Sequence, residues 1–170
     1  MKTKRVSVLL QTNKPVKAFL LNNFGPEPMI DSRHIFHNYL LLCLNHTLTF
    51  KNCEVPGYPD SMKIYISKID YERHGCWLQP RQTQMFNLHV DFYMKALLIA
   101  YTDTYLKQSV HPQLNDALRF ALEQMKLSEL DWDIDTITKY YYRHRQRTGK
   151  PLLYNKPKKS FIEVSDFKTA

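Results

Sequence analysis

Lys139, Tyr140, Arg143, Gln146 and Arg147 are the one group of residues whose types and spacing suggest a specific chemistry. At 100° per residue they share one side of a helix with Thr136, while Ile134, Ile137 and Tyr141 share the other. Arginine and glutamine can each make two hydrogen bonds to a base edge, and arginine and lysine neutralise phosphates. Arg143 and Gln146 are therefore the candidate base readers, joined at the groove or the phosphates by Lys139, Tyr140 and Arg147. Lys150, Lys156, Lys158 and Lys159 follow as a candidate arm along the backbone, and no Asp or Glu stands between Lys139 and Lys159. Tyr140, Tyr141, Tyr142 and Tyr154 are interleaved, a mixture that suits a phosphate backbone with stacking or sugar contacts. The plainer chemistry of the same residues is a solvated face, with arginines answering the negative end of the helix dipole.

The elements that must position this face are legible nearby. Asp133 or Asp135 can cap the helix, and Thr148-Gly149 followed by Pro151 ends it. Arg145 falls nearer the apolar side and is expected at a rim or snorkelling outwards. Pro112 opens the preceding helix, whose buried stripe is Leu114, Ala117, Leu118, Ala121, Leu122 and Met125. Lys126 to Asp133 joins the two, with Leu127, Leu130 and Trp132 expected to pack between them. Helix, turn and helix in this order suit a second helix presented to a groove, although the turn exceeds the 3–4 residues of a minimal helix-turn-helix.

The longest helical pattern runs from Pro80 to about Gln108. Its expected core stripe is Met85, Leu88, Phe92, Ala96 and Ile99, widened by Phe86, His89, Tyr93 and Ala100. Gln84, Asn87, Asp91, Lys95 and Leu98 are left for the remaining side. Upstream, Val6–Leu10 reads as a strand, and Pro15 opens a helix that Gly25-Pro26 stops. Ser32 can cap a helix from Arg33 to Asn45 that is apolar nearly all round at Leu40–Leu44. His34 and His37 stand three apart on it, without a third metal ligand near them in sequence. Thr47–Val55 and Met62–Ser67 alternate around the turn Pro56-Gly-Tyr-Pro-Asp60 and suggest an antiparallel hairpin, with Val6–Leu10 at its edge. Ile69–His74 reads as a short helical turn ended by Gly75, with Trp77 free to plug the core. Phe161–Val164 has weak strand character.

The chain has 170 residues, a formal net charge of +8 and 44% hydrophobic residues, which fits one globular domain, or one compact domain with an appendage. Six acids between Asp116 and Asp135 precede the basic block, so one end is strongly positive. There is no apolar run for a signal peptide or a spanning helix. Three unclustered cysteines, Cys43, Cys53 and Cys76, fit reduced thiols in a cytoplasm. With four glycines, no phosphate-binding loop can be drawn, and no nucleophile elbow or HExxH is present. No enzyme, cofactor, metal or membrane partner is expected.

Tyr140-Tyr-Tyr-Arg-His-Arg-Gln-Arg147 and the segment Tyr58-Pro59 to Ser67, with Ser61, Lys63, Ile64, Tyr65 and Ile66, also carry a likeness. The chain resembles small uncharacterised proteins encoded by phages and other mobile elements of gut bacteria of the Bacteroides group. That resemblance implies a bacterial or phage setting and no defined activity. The expectation is an α+β fold: a small antiparallel sheet, a helical body and a C-terminal helix-turn-helix-like pair. Residues 1–79 form its strand-helix-helix-hairpin part, 80–150 its helical part and 151–170 a basic arm. The expected function is non-catalytic binding of nucleic acid, duplex DNA first, as a regulator or accessory factor of a mobile element. Single-stranded binding through the tyrosines, and a protein-interaction or assembly role with an acidic partner, are the alternatives. A homodimer is left open.

Overall fold

Alternation in the first strand and an asparagine cap begin the fold. β1 (Arg5–Thr12) turns Val8, Leu10 and Thr12 inward. At its end Asn13 accepts the Val16 N–H at 3.1 Å, and Pro15 sits in the first turn of α1 (Lys14–Phe24). The structure, a computed structural model, describes residues 5–47 and 55–151. It is a mixed α+β fold, with two small antiparallel sheets and a helical body.

β3 (Asp60–Ser67) is hydrogen-bonded along its length to β1, from Arg5 opposite Ser67 to Thr12 opposite Asp60. Val6–Leu10, expected at the edge of this sheet, thus lies in the strand paired with β3, while the expected pairing of β3 with Thr47–Val55 falls on residues 48–54, which lie outside those described. Met62, Ile64 and Ile66 face the same interior as Val8 and Leu10, so burying both apolar rows on one side fixes the register.

The second helix is shorter than expected. α2 spans only His37–Cys43, and Ser32 does not cap it. Asp31 accepts the Arg33 N–H at 3.0 Å, and successive tight turns (His34 N to Asp31 O, His37 N to His34 O) occupy the backbone before it. Leu42 is 81% exposed, so the Leu40–Leu44 run is not buried all round. β2 (Leu44–Asn45) pairs with β4 (Trp77–Leu78). Between them α3 (Lys68–His74) starts at a Ser67 cap and ends at Gly75. Trp77 stands outward, and Trp132 is the tryptophan that the core takes.

α4 (Pro80–Gln108) is the expected long helix, turned over. Phe86, Val90, Met94, Leu98 and Leu106 are buried, and Thr83, Asn87 and Thr102 with them. Met85, Leu88 and Phe92, expected in the core, face outward, Phe92 being 73% exposed. Asn87 explains the choice. Its Oδ1 accepts from Thr12 Oγ1 at 2.6 Å, and its Nδ2 donates at 2.8 Å to the carbonyls of Gln11 and Thr83. A fully bonded amide can be buried at little cost, so an asparagine reads as surface in the sequence and as core in the fold.

α5 (Leu114–Gln124) buries the expected stripe. Its C-terminal carbonyls are capped from α1: Asn23 Nδ2 donates to Met125 O at 2.9 Å, and Asn22 Nδ2 to Lys126 O at 2.8 Å. Leu127 and Trp132 pack inward, but Leu130 is exposed. α6 (Ile134–Arg147) follows. One cluster of buried side chains runs from Val8 to Tyr141, so the described residues before and after position 80 share a core.

Candidate nucleic-acid interface

Asp133 starts α6 by accepting the Thr136 N–H at 2.8 Å, and that bond is the largest cause holding its carboxyl below the usual range. Ile137 and Tyr141 turn into the core beside α4. Arg145 follows them there, only 4% exposed, and this overturns the expectation of a rim position. Its Nε donates to Tyr141 Oη at 3.1 Å, and Tyr141 Oη donates to Asp103 Oδ1 at 2.9 Å. Arg145 Nη2 lies 3.1 Å from the same carboxylate oxygen, close enough for an ion pair but not aligned for a hydrogen bond. Burial and the Asp103 carboxylate push the Tyr141 phenol up to about 12. Asp103 is thus the anchor that fastens α6 to α4, and the charge of Arg145 is not available to a ligand.

On the outer side, Lys139, Arg143, Gln146, Arg147 and, beyond the helix, Lys150 are all exposed. From Lys139 to Arg147 the row is about 12 Å long at 1.5 Å per residue. None of its four cations makes an ion pair among the described residues. Four of the neighbouring acids are otherwise engaged, while Asp135, exposed one turn before Lys139, has no such partner among the described residues. Asp116 and Glu129 hold Arg119 at 3.8 and 2.7 Å, Ser128 donates its N–H and hydroxyl to Asp131, and Asp133 is the cap. Lys156, Lys158 and Lys159 lie outside the described residues.

Two details differ from the sequence expectation. Tyr140 is not part of the outward row. It leans towards α4, with Lys95 Nζ 5.2 Å from its ring centre and His144 6.3 Å away, ring to ring. The acids sit at the N-terminal end of α6, where Asp133 and Asp135 are exposed. Recognition helices of helix-turn-helix proteins meet bases with their N-terminal residues, and here phosphates would be repelled from that end. The cations occupy the C-terminal half.

Phe92, Lys95, Ala96 and Ile99 of α4 complete, with Tyr140 and His144, an open groove of about 260 Å³. Sequence reasoning missed it because it assigned Phe92, Ala96 and Ile99 to the core. The signal in the sequence was that α4 is apolar on more than one side.

Elsewhere, His37 does not share a site with His34. His37 Nε2 lies 3.3 Å from Asp70 Oδ2, which also accepts from Ser67 Oγ at 2.7 Å. The carboxylate stands between serine and imidazole, so the histidine cannot take the serine proton, and Ser67 serves as the α3 cap. No three His, Cys, Asp or Glu side chains among the described residues converge as metal ligands. No helix among them is long and apolar enough to cross a membrane. Comparisons of the chain with protein-family models, with curated proteins and with solved structures found no match.

Proposed function

We propose that this chain is a non-catalytic nucleic-acid-binding protein that meets the phosphate backbone with the outer face of α6. The observation that carries this is the row Lys139, Arg143, Arg147 and Lys150, exposed and without an ion pair among the described residues. Positive charge of this density attracts polyanions and gains free energy by releasing their counterions. The acidic first turn of α6 favours contact along the C-terminal half of the helix over insertion of its N-terminus into a groove. Arg143 and Gln146 remain the side chains able to read a base edge.

A salt titration of binding to random duplex DNA, duplex RNA and single strands tests the proposal, repeated with Arg143→Ala/Arg147→Ala. The log–log slope should be steep for the native chain. It should become shallower in the double variant by about 0.9 per lost contact on duplex DNA and about 0.7 on a single strand. No binding at ~50 mM salt, where phosphate-driven affinity is strong, would sink the proposal. Equal binding to an acidic polypeptide would replace nucleic acid by a protein partner.

A further inference from the structure

We propose that the groove between α4 and α6 takes an unstacked nucleobase, held against Phe92 and Tyr140 while the adjoining phosphates run along Arg143 and Arg147. The inference rests on the reading of α6 as the phosphate-contacting face and adds to it the kind of strand that is bound.

Three observations converge. The first is the outward position of Phe92, a phenyl ring 73% exposed on a well-formed helix where a polar residue would satisfy the fold equally well. The second is the charge balance inside the groove. Lys95 Nζ is 2.6 Å from Asp91 Oδ2 and lies over the Tyr140 ring, so its charge is already answered. A phosphate gains little there, and a neutral flat group gains the exposed Phe92 ring and the Tyr140 atoms that line the groove. The third is adjacency. On the helical wheel of α6, Tyr140 lies about 20° from Arg147 and about 60° from Arg143, so the groove opens beside the basic row. An aromatic platform beside a cationic track is the general way in which proteins hold single strands, because every base has a face to stack. A groove of about 260 Å³ admits one base with room at its edge. A closed duplex keeps its bases paired and has none to offer, so the ligand must contain unpaired bases.

The decisive experiment measures anisotropy of a labelled single-stranded oligonucleotide, the same oligonucleotide with abasic sites, and a blunt duplex. The native chain, Phe92→Ala, Phe92→Trp and Arg143→Ala/Arg147→Ala are compared. Phe92 is exposed, so its replacement should leave the melting temperature unchanged. Phe92→Ala should weaken single-strand binding about tenfold or more with the salt slope unchanged. It should leave duplex binding as it was, and Phe92→Trp should restore the affinity. Abasic sites should weaken the native chain as Phe92→Ala does. If the arginine variant loses affinity while Phe92→Ala keeps full single-strand binding, the groove proposal fails and the α6 proposal stands. If nothing binds at ~50 mM salt, the α6 proposal fails and takes this one with it. Self-association of the native chain that Phe92→Ala abolishes would assign the groove to a second copy and overturn the nucleobase proposal.

Discussion

Asp103→Ala should be among the most damaging single changes in the molecule. The substitution removes the only carboxylate beside Arg145 among the described residues, and the guanidinium is 4% exposed. Leaving one member of a buried pair without its partner costs about 3–5 kcal/mol, and Tyr141 also loses its acceptor. The side chain of Asp103 is itself 16% exposed, so water can approach the vacated oxygen position and the lower end applies. At about 3 kcal/mol and roughly 2–4 °C per kcal/mol for a chain of this size, the melting temperature should fall by about 6–12 °C. Urea unfolding followed by circular dichroism supplies the assay, read as a midpoint shift at constant slope. The double variant Asp103→Leu/Arg145→Met removes both charges and should recover the part of the loss that comes from the unpaired guanidinium, while the cost of the unpartnered Tyr141 hydroxyl stays. A cost below about 1 kcal/mol for Asp103→Ala, or a double variant no better than the single one, would refute the anchoring role.

Two further outcomes follow from local geometry. His34 packs against Phe24 with ring centres 4.1 Å apart and the rings tilted by 51°, and its Nδ1 accepts the Phe36 N–H at 3.2 Å; burial is the main cause holding its pKa below 6.5. Between the folded value and 6.5 the unfolded chain binds the extra proton, so stability from this residue is full above 6.5 and falls as pH drops through it. Urea midpoints from about pH 8 to about pH 5 should decline less steeply in His34→Phe than in the native chain; identical slopes would remove His34 as a cause. Gly75 has φ of +82°, and a Cβ there would run into the backbone of Asn45 and His46. Gly75→Ala should therefore cost about 1–3 kcal/mol from the backbone alone and more from the collision. Gly149→Ala, with φ of +63° and open space around it, should cost distinctly less in the same melting experiment.

What the sequence made legible is what short-range chemistry decides. Pro15 in the first turn of α1, Gly25 at its end, and Asp133, one of the two caps expected for α6, each act within a few residues, and each is found where the sequence allowed it. The stripe of α5 is legible for a related reason: only one of its sides is apolar. Long-range choices were not legible. Val6–Leu10 is expected at the edge of the sheet of β3, but the register that sets Arg5 opposite Ser67 was not legible, because β3 alternates equally well in any register that keeps its apolar face. Arg145 is apolar in position and charged in type, so its burial depends on Asp103, forty-two residues earlier, being carried to the same depth. In the candidate interface, the outward position of Lys139, Arg143, Gln146 and Arg147 followed from periodicity. Tyr140 did not, because which neighbour it leans on is set by α4.

The orientation of α4 ties fold and site together. Half a turn of rotation about its axis would bury Met85, Leu88 and Phe92, worth about 1.5–3 kcal/mol for each side chain fully covered. The same rotation would expose Phe86, Val90, Met94 and Leu98, all fully buried now. The hydrophobic difference between the two orientations is therefore small, since each buries one apolar row and exposes the other. Asn87 breaks the tie. Its hydrogen bonds to Thr12 and Gln11 of β1 exist only in the observed orientation, whereas the one to Thr83 lies within α4. Turned outward, it would take from Thr12 Oγ1 its short acceptor, leaving only the 3.4 Å contact with the Asn13 carbonyl, at about 1–3 kcal/mol for a buried polar group that loses its partner. A single buried amide thus fixes which apolar row becomes core. The row left outside is the one that, beside α6, forms the groove of Phe92 and Tyr140.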